Sequence, residues 1–68
     1  MEICDALKRF REEHNLTQKA VADSLGIKVP AYQRYEYGTV KPPAQIIKDI
    51  ANAYNVSADY LLGRTDQP

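Results

Sequence analysis

Residues 16 to 38 read LTQKAVADSLGIKVPAYQRYEYG, and the fold turns on this stretch. Thr17 is a good helix N-cap, because its hydroxyl can accept from an amide of the first turn, and Val21, Ala22 and Leu25 then share one apolar face. Gly26 stops that helix, since glycine takes the left-handed conformation at least cost. The spacing therefore predicts a short helix over 18–25, with Ile27 in the turn that follows. Pro30 is tolerated only in a helix's first turn, where amide donors are unpaired anyway, so the next helix begins at Lys28 or Val29 and runs to Tyr37, closed by Gly38. Its first turn carries Lys28, Val29 and Pro30 where a Ser or Thr cap is expected, which raises the question of what such a helix is shaped to touch.

Working outward, Ile3, Leu7, Phe10 and His14 recur at helical spacing between Lys8, Arg9, Glu12 and Glu13, so residues 2–14 read as an amphipathic helix ending near Asn15. The segment TVKPP (39–43) is an extended connector, because a residue before proline avoids the α region. AQIIKDIANAYN (44–55) places Ile46, Ile47, Ile50 and Tyr54 on one face, with Asn55 as an αL cap. Ser57 then caps ADYLL, a last short helix ended by Gly63. Nothing alternates with the period of a strand and no repeat is visible. The expectation is an all-α domain of five helices over residues 1–63, with residues 64–68 a loose tail.

Sixty-eight residues make a single domain, because a chain this short buries only about 60% of its unfolded surface and cannot support two cores. A hydrophobic fraction of 44% fills a compact core but leaves little interior for a substrate cavity, which favours a surface-acting binding module over an enzyme. His14 has no acidic partner in view, Cys4 has no base at a recognisable position, and no glycine-rich phosphate loop exists. With a single cysteine and a single histidine there is neither a disulfide nor a metal-ligand spacing, so no cofactor is expected and a reducing cytoplasm fits. MEICDALKRF (1–10) lacks the marks of a signal peptide and no run of apolar residues is long enough to span a bilayer, so no membrane partner is expected.

The formal net charge is zero, but its distribution is not even. From Gly26 to Lys48 the cations Lys28, Arg34, Lys41 and Lys48 face one anion, Glu36, a net +3; the rest of the chain has five cations against eight anions, a net −3. Such a split marks either a surface for a polyanion or clustering on solvated faces.

Two short helices joined through a glycine turn, the second flanked by cations, suit a helix-turn-helix, in which one helix braces the nucleic-acid backbone while the next enters the major groove. The order of residues goes further. Arg11, then Leu16, Thr17, Gln18, Val21, Ala22, Leu25 and Gly26, then Glu36, Gly38 and Pro42, and finally Val56, Ser57, Leu61 and Leu62 together resemble the Cro and phage-repressor type of helix-turn-helix, often labelled the Xre family. The resemblance runs from about Leu7 to Asp66 and implies a compact, lambda-repressor-like bundle.

It also implies roles. Arg11 and Glu36 should form an ion pair tying the first helix to the end of the third. Gln18, at the amino end of the second helix, should approach a phosphate. Tyr32 and Tyr35 should face the core, which leaves Lys28, Val29, Pro30, Gln33, Arg34 and Tyr37 facing outward or sideways. The chain departs from the family's pattern at Lys28, Val29 and Pro30. Neither Val29 nor Pro30 can hydrogen-bond a base edge, so these positions offer apolar contact to thymine methyl groups and shape. Arg34 can make a bidentate contact to guanine, or alternatively a phosphate contact; Gln33 can reach a base or a phosphate; Lys28 and Lys41 suit phosphates.

The function expected is sequence-specific binding of double-stranded DNA by a bacterial or phage-encoded transcriptional regulator, most simply a repressor, located in the cytoplasm. One recognition helix reads few base pairs, so a homodimer on a twofold operator is implied, with Tyr60, Leu61 and the exposed edge of the fourth helix as apolar candidates for the seam; closure of the small core is the other reading of these residues, and the favoured one for Leu61 and Leu62. The alternative is a protein-interaction module on the same fold, in which the Val29–Pro30 edge meets a protein partner.

Overall fold

The computed structural model describes all 68 residues. Five helices follow one another, α1 (Ile3–Glu13), α2 (Gln18–Leu25), α3 (Val29–Tyr37), α4 (Ala44–Tyr54) and α5 (Ala58–Leu61), and no residue is in a strand. Local chemistry sets their ends. The Thr17 hydroxyl accepts from the Ala20 amide at 3.0 Å and the Ser57 hydroxyl from the Tyr60 amide at 3.0 Å. Gly26 ends α2 at φ +69°, Gly38 ends α3 at φ +78°, and Asn55 ends α4 at φ +55°. A Cβ at Gly26 would meet nothing within 4 Å, so backbone conformation alone asks for glycine there.

The core gathers one face from every helix. Leu7 and Phe10 of α1, Val21 and Ala22 of α2, Tyr32 of α3, Ile46, Ile47 and Ile50 of α4, and Tyr60 and Leu61 of α5 are buried together, with Val56 between the last two helices. Helix α3 packs against α1 and α2, and α5 against α1 and α4. Tyr35 and Tyr54 are half-buried against this cluster. The His14 ring lies tilted against Phe10, 4.9 Å between centroids, and donates from Nδ1 to the Phe10 carbonyl at 2.8 Å, so its place on the apolar face is that of a hydrogen-bonded residue at the edge of the core.

Tyr60 and Leu61 are fully buried, closing the core beneath α1; closure, the favoured reading for Leu61, extends to Tyr60, and neither side chain is available to a dimer seam. Within residues 64–68, contacts reach back to α1. Arg9 donates through Nη2 to the carbonyls of Tyr60 at 2.7 Å and Thr65 at 3.0 Å, and through Nη1 to Asp66 at 3.1 Å. The guanidinium also lies 4.3 Å over the Tyr60 ring, and the Tyr60 hydroxyl donates to Glu13, one turn along α1 from Arg9.

Candidate nucleic-acid interface

The site begins in the interior, with an acid. Glu36 is the one charged residue in the buried set. Arg11 donates to it twice, Nε to Oε2 at 2.6 Å and Nη2 to Oε1 at 3.2 Å, and uses Nη1 on the Leu16 carbonyl at 3.0 Å. This bidentate bond joins α1 to the last turn of α3 and, through Leu16, to the start of the helix-turn-helix. Burial pushes the Glu36 carboxyl up, but the donors around it, Arg11 foremost, outweigh burial and hold it below the ordinary carboxylate range. The bond to Glu36 raises Arg11 in turn. Tyr32 is buried in the same turn; burial, and then the approach of its hydroxyl to the Glu36 carboxylate, push its phenol up.

Two glutamines extend the pair toward the surface. Gln18 donates from Nε2 to Glu36 Oε1 at 3.3 Å, and Gln33 donates from Nε2 to Gln18 Oε1 at 3.0 Å. Both side chains are half-buried. The expected phosphate-facing glutamine and the expected base- or phosphate-reaching one are thus neighbours in space, a link across fifteen residues of chain.

On its outer side, α3 shows Pro30, Arg34 and Tyr37, positions that recur at four and three residues and so share one stripe. Arg34 is exposed and forms no ion pair, while Tyr37 is 62% exposed. Lys28 and Lys41 are exposed too, Lys28 at the N-cap of α3 and Lys41 in the connector that follows Gly38. Val29 is placed differently from its neighbours: it is half-buried and packs against the core, so little of it is left for a groove contact. The spacing of Tyr37 from Pro30 and Arg34 is the sequence signal that places it on the same exposed stripe.

The electrostatics follow from which cations are already engaged. Arg9 and Arg11 are used inside the fold, Lys19 pairs with Asp23 at 2.7 Å, and Arg64 lies 3.9 Å from Asp59. Lys8, Lys28, Arg34, Lys41 and Lys48 have no such partner; the last four lie between Gly26 and Lys48, where the only acid is the buried Glu36. Every exposed charge of that stretch is therefore positive. Lys28 also sits at the N-cap of α3 with no side-chain cap, where the helix dipole is positive and a cation is unfavourable unless an anion comes near. Ala31 and Tyr32 amides bond the Lys28 carbonyl and Pro30 has none, so the Val29 amide is the donor left unpaired in that turn. An anionic backbone laid against this end would relieve both conditions. No group of three potential metal ligands occurs, and no helix is long and apolar enough to cross a membrane.

Comparison with known proteins agrees with this geometry. Residues 7–61 match the family model described as Helix-turn-helix. The chain is 40% identical over 65 residues to the uncharacterised HTH-type transcriptional regulator YobD of Bacillus subtilis, covering 96% of this chain and 58% of that protein. It is 38% identical over 64 residues to RstR, the cryptic phage CTXphi transcriptional repressor of Vibrio cholerae, covering 94% of this chain and 57% of RstR. It thus spans a little over half the length of each. The crystal structure of a transcriptional regulator from Listeria innocua superposes with a TM-score of 0.82 at 24% identity, over 98% of this chain and 63% of that one, a likeness of fold. The chain belongs to the helix-turn-helix family, in its Cro and phage-repressor branch.

Proposed function

We propose that this chain is a sequence-specific DNA-binding transcriptional regulator that lays α3 in the major groove of double-stranded DNA, with residues 1–63 as the binding unit. The observation that carries the reading is the sorting of charge on α3 and its flanks. The single acid is buried against Arg11, and Lys28, Arg34 and Lys41 are exposed around a stripe without carboxylates. In this reading Lys28 and Lys41 hold phosphates on either side of the groove, Arg34 reads guanine, Pro30 and the exposed edge of Val29 meet thymine methyl groups, and Gln18 and Gln33 work at the amino end of α2 and the flank of α3. RstR is named as a repressor, and repression, exerted in the cytoplasm, is the activity we assign.

A homodimer belongs to the same proposal, because a single helix of this length contacts too few base pairs to define a site, and two copies on half-sites about 34 Å apart double the reading. With Tyr60 and Leu61 inside the core, the exposed residues of α4, among them Gln45, Lys48 and Asn52, are the seam this reading leaves.

Selection of bound duplexes from a randomised library tests the function. Enrichment of a twofold motif with a guanine in each half-site is the expected result. Retention that is weak, unenriched and abolished by modest salt would show a backbone affinity without reading and would overturn the assignment.

A further inference from the structure

We propose that Glu36, acting through Gln18, is a positioning residue for base reading, and that it presents the Gln33 amide in the orientation that fits adenine; the proposal rests on the DNA-binding reading above. Gln33 bonds Gln18 and Gln18 bonds Glu36, at 3.0 and 3.3 Å. The direction of these bonds is fixed from the buried end. An ionised carboxylate can only accept, so Gln18 must turn its NH2 group toward Glu36 and its oxygen away. That oxygen can also only accept, so Gln33 must turn its own NH2 group toward Gln18. Two side chains that could each adopt either of two flipped amide states are thereby held in one.

What remains on Gln33 is its carbonyl oxygen and one N–H. An amide edge offering one donor and one acceptor side by side is the complement of adenine in the major groove, with N7 accepting and the N6 amino group donating. Gln33 is adjacent to Arg34 and flanks the exposed stripe of α3, half-buried on the side of α2. The reading surface would then carry two polar readers of different preference, Arg34 for guanine and Gln33 for adenine, where Val29 and Pro30 supply none. Glu36 is well suited to anchor the relay, because Arg11 already holds it charged and immobile inside the fold.

The test has one arm without DNA and one with it. In the free protein, side-chain amide relaxation by nitrogen-15 NMR should show Gln33 ordered in the wild type and mobile in Gln18→Leu, while Gln18 stays ordered in Gln33→Leu because its bond to Glu36 survives. Far-ultraviolet circular dichroism and the melting temperature should stay close to wild type in both variants, which separates positioning from folding. In the second arm, duplexes enriched from a randomised library by the wild type are resynthesised with 7-deazaadenine at each adenine in turn. One position should weaken wild-type binding about tenfold, and that sensitivity should vanish in Gln33→Leu and in Gln18→Leu alike. Full sensitivity in Gln18→Leu, or a Gln33 amide equally ordered in Gln18→Leu, would overturn the relay. If the relay is ordered in the free protein but the wild type enriches no duplex, the DNA-binding reading has failed and the assignment to adenine falls with it.

Discussion

Arg34 and Glu36 stand two residues apart on α3 and face opposite ways: Arg34 is exposed and forms no ion pair, while the Glu36 side chain is fully buried, 2.6 Å from the Arg11 guanidinium. Turning the acid inward gives the helix its anchor and removes the one negative charge from the surface that meets a polyanion. Anchor and reading face are therefore two sides of one helical turn, and they can be perturbed separately.

Removing Arg11 should cost more than neutralising Glu36. Arg11→Ala strands a buried carboxylate, at about 3–5 kcal/mol. Glu36→Gln leaves an amide oxygen that still accepts, so about 1–3 kcal/mol is expected. Urea denaturation at neutral pH measures both, and a loss below about 1 kcal/mol for Arg11→Ala would describe a solvated surface pair instead.

Acid should find the same pair. Glu36 titrates lower in the folded chain than in the unfolded one, where its carboxyl is near 4.5. The unfolded chain thus binds its proton first as pH falls, and the stabilisation present above pH 4.5 is lost progressively below it. Melting temperatures followed from pH 7 to pH 2 should drop most steeply below that value in the wild type, and Glu36→Gln should show a shallower fall.

The two turn glycines should differ in cost. Gly26→Ala meets no atom within 4 Å and carries only the price of a left-handed backbone, about 1–2 kcal/mol. Gly38→Ala carries the same conformation and in addition sets a Cβ 3.3 Å from the Cys4 sulfur. Thermal melts should therefore rank Gly38→Ala below Gly26→Ala, and the double variant Gly38→Ala with Cys4→Ala, which removes the sulfur without placing a glycine in α1, should recover part of the difference.

Arg9 should govern the end of the chain rather than the DNA face. Arg9→Ala removes the donors to the Thr65 carbonyl and Asp66. Amide exchange of residues 64–67 should then accelerate, with helix α3 left protected. Unchanged exchange across that segment would mean that its contacts do not depend on Arg9.

Much of this was legible because it is local. Thr17, Gly26, Gly38, Asn55 and Ser57 mark helix ends by chemistry that needs no distant partner, and the element bounds fall at those residues. The packed faces of α1 and α4 were equally plain, since each holds its apolar spacing over eleven residues. Short elements were harder. Helix α5 has four residues, too few for periodicity to say whether Tyr60 joins Leu61 in closing the core. At the start of α3, one turn could not separate half-buried Val29 from exposed Lys28 and Pro30. Bonds between residues far apart in the chain, Arg9 with Thr65 and Gln18 with Gln33, leave no periodic trace, and only the assembled fold brings them together.

The central claim is that the exposed stripe of α3 reads base pairs, with Arg34 as its guanine reader. The most direct measurement is the affinity of wild type and Arg34→Ala for the library-selected duplex and for the same duplex with its half-site guanines replaced, each titrated at two salt concentrations. The account predicts that Arg34→Ala loses about 1–3 kcal/mol on the selected duplex and no longer distinguishes the two duplexes. Equal affinity of wild type and Arg34→Ala for the selected duplex, with guanine preference intact, would contradict it.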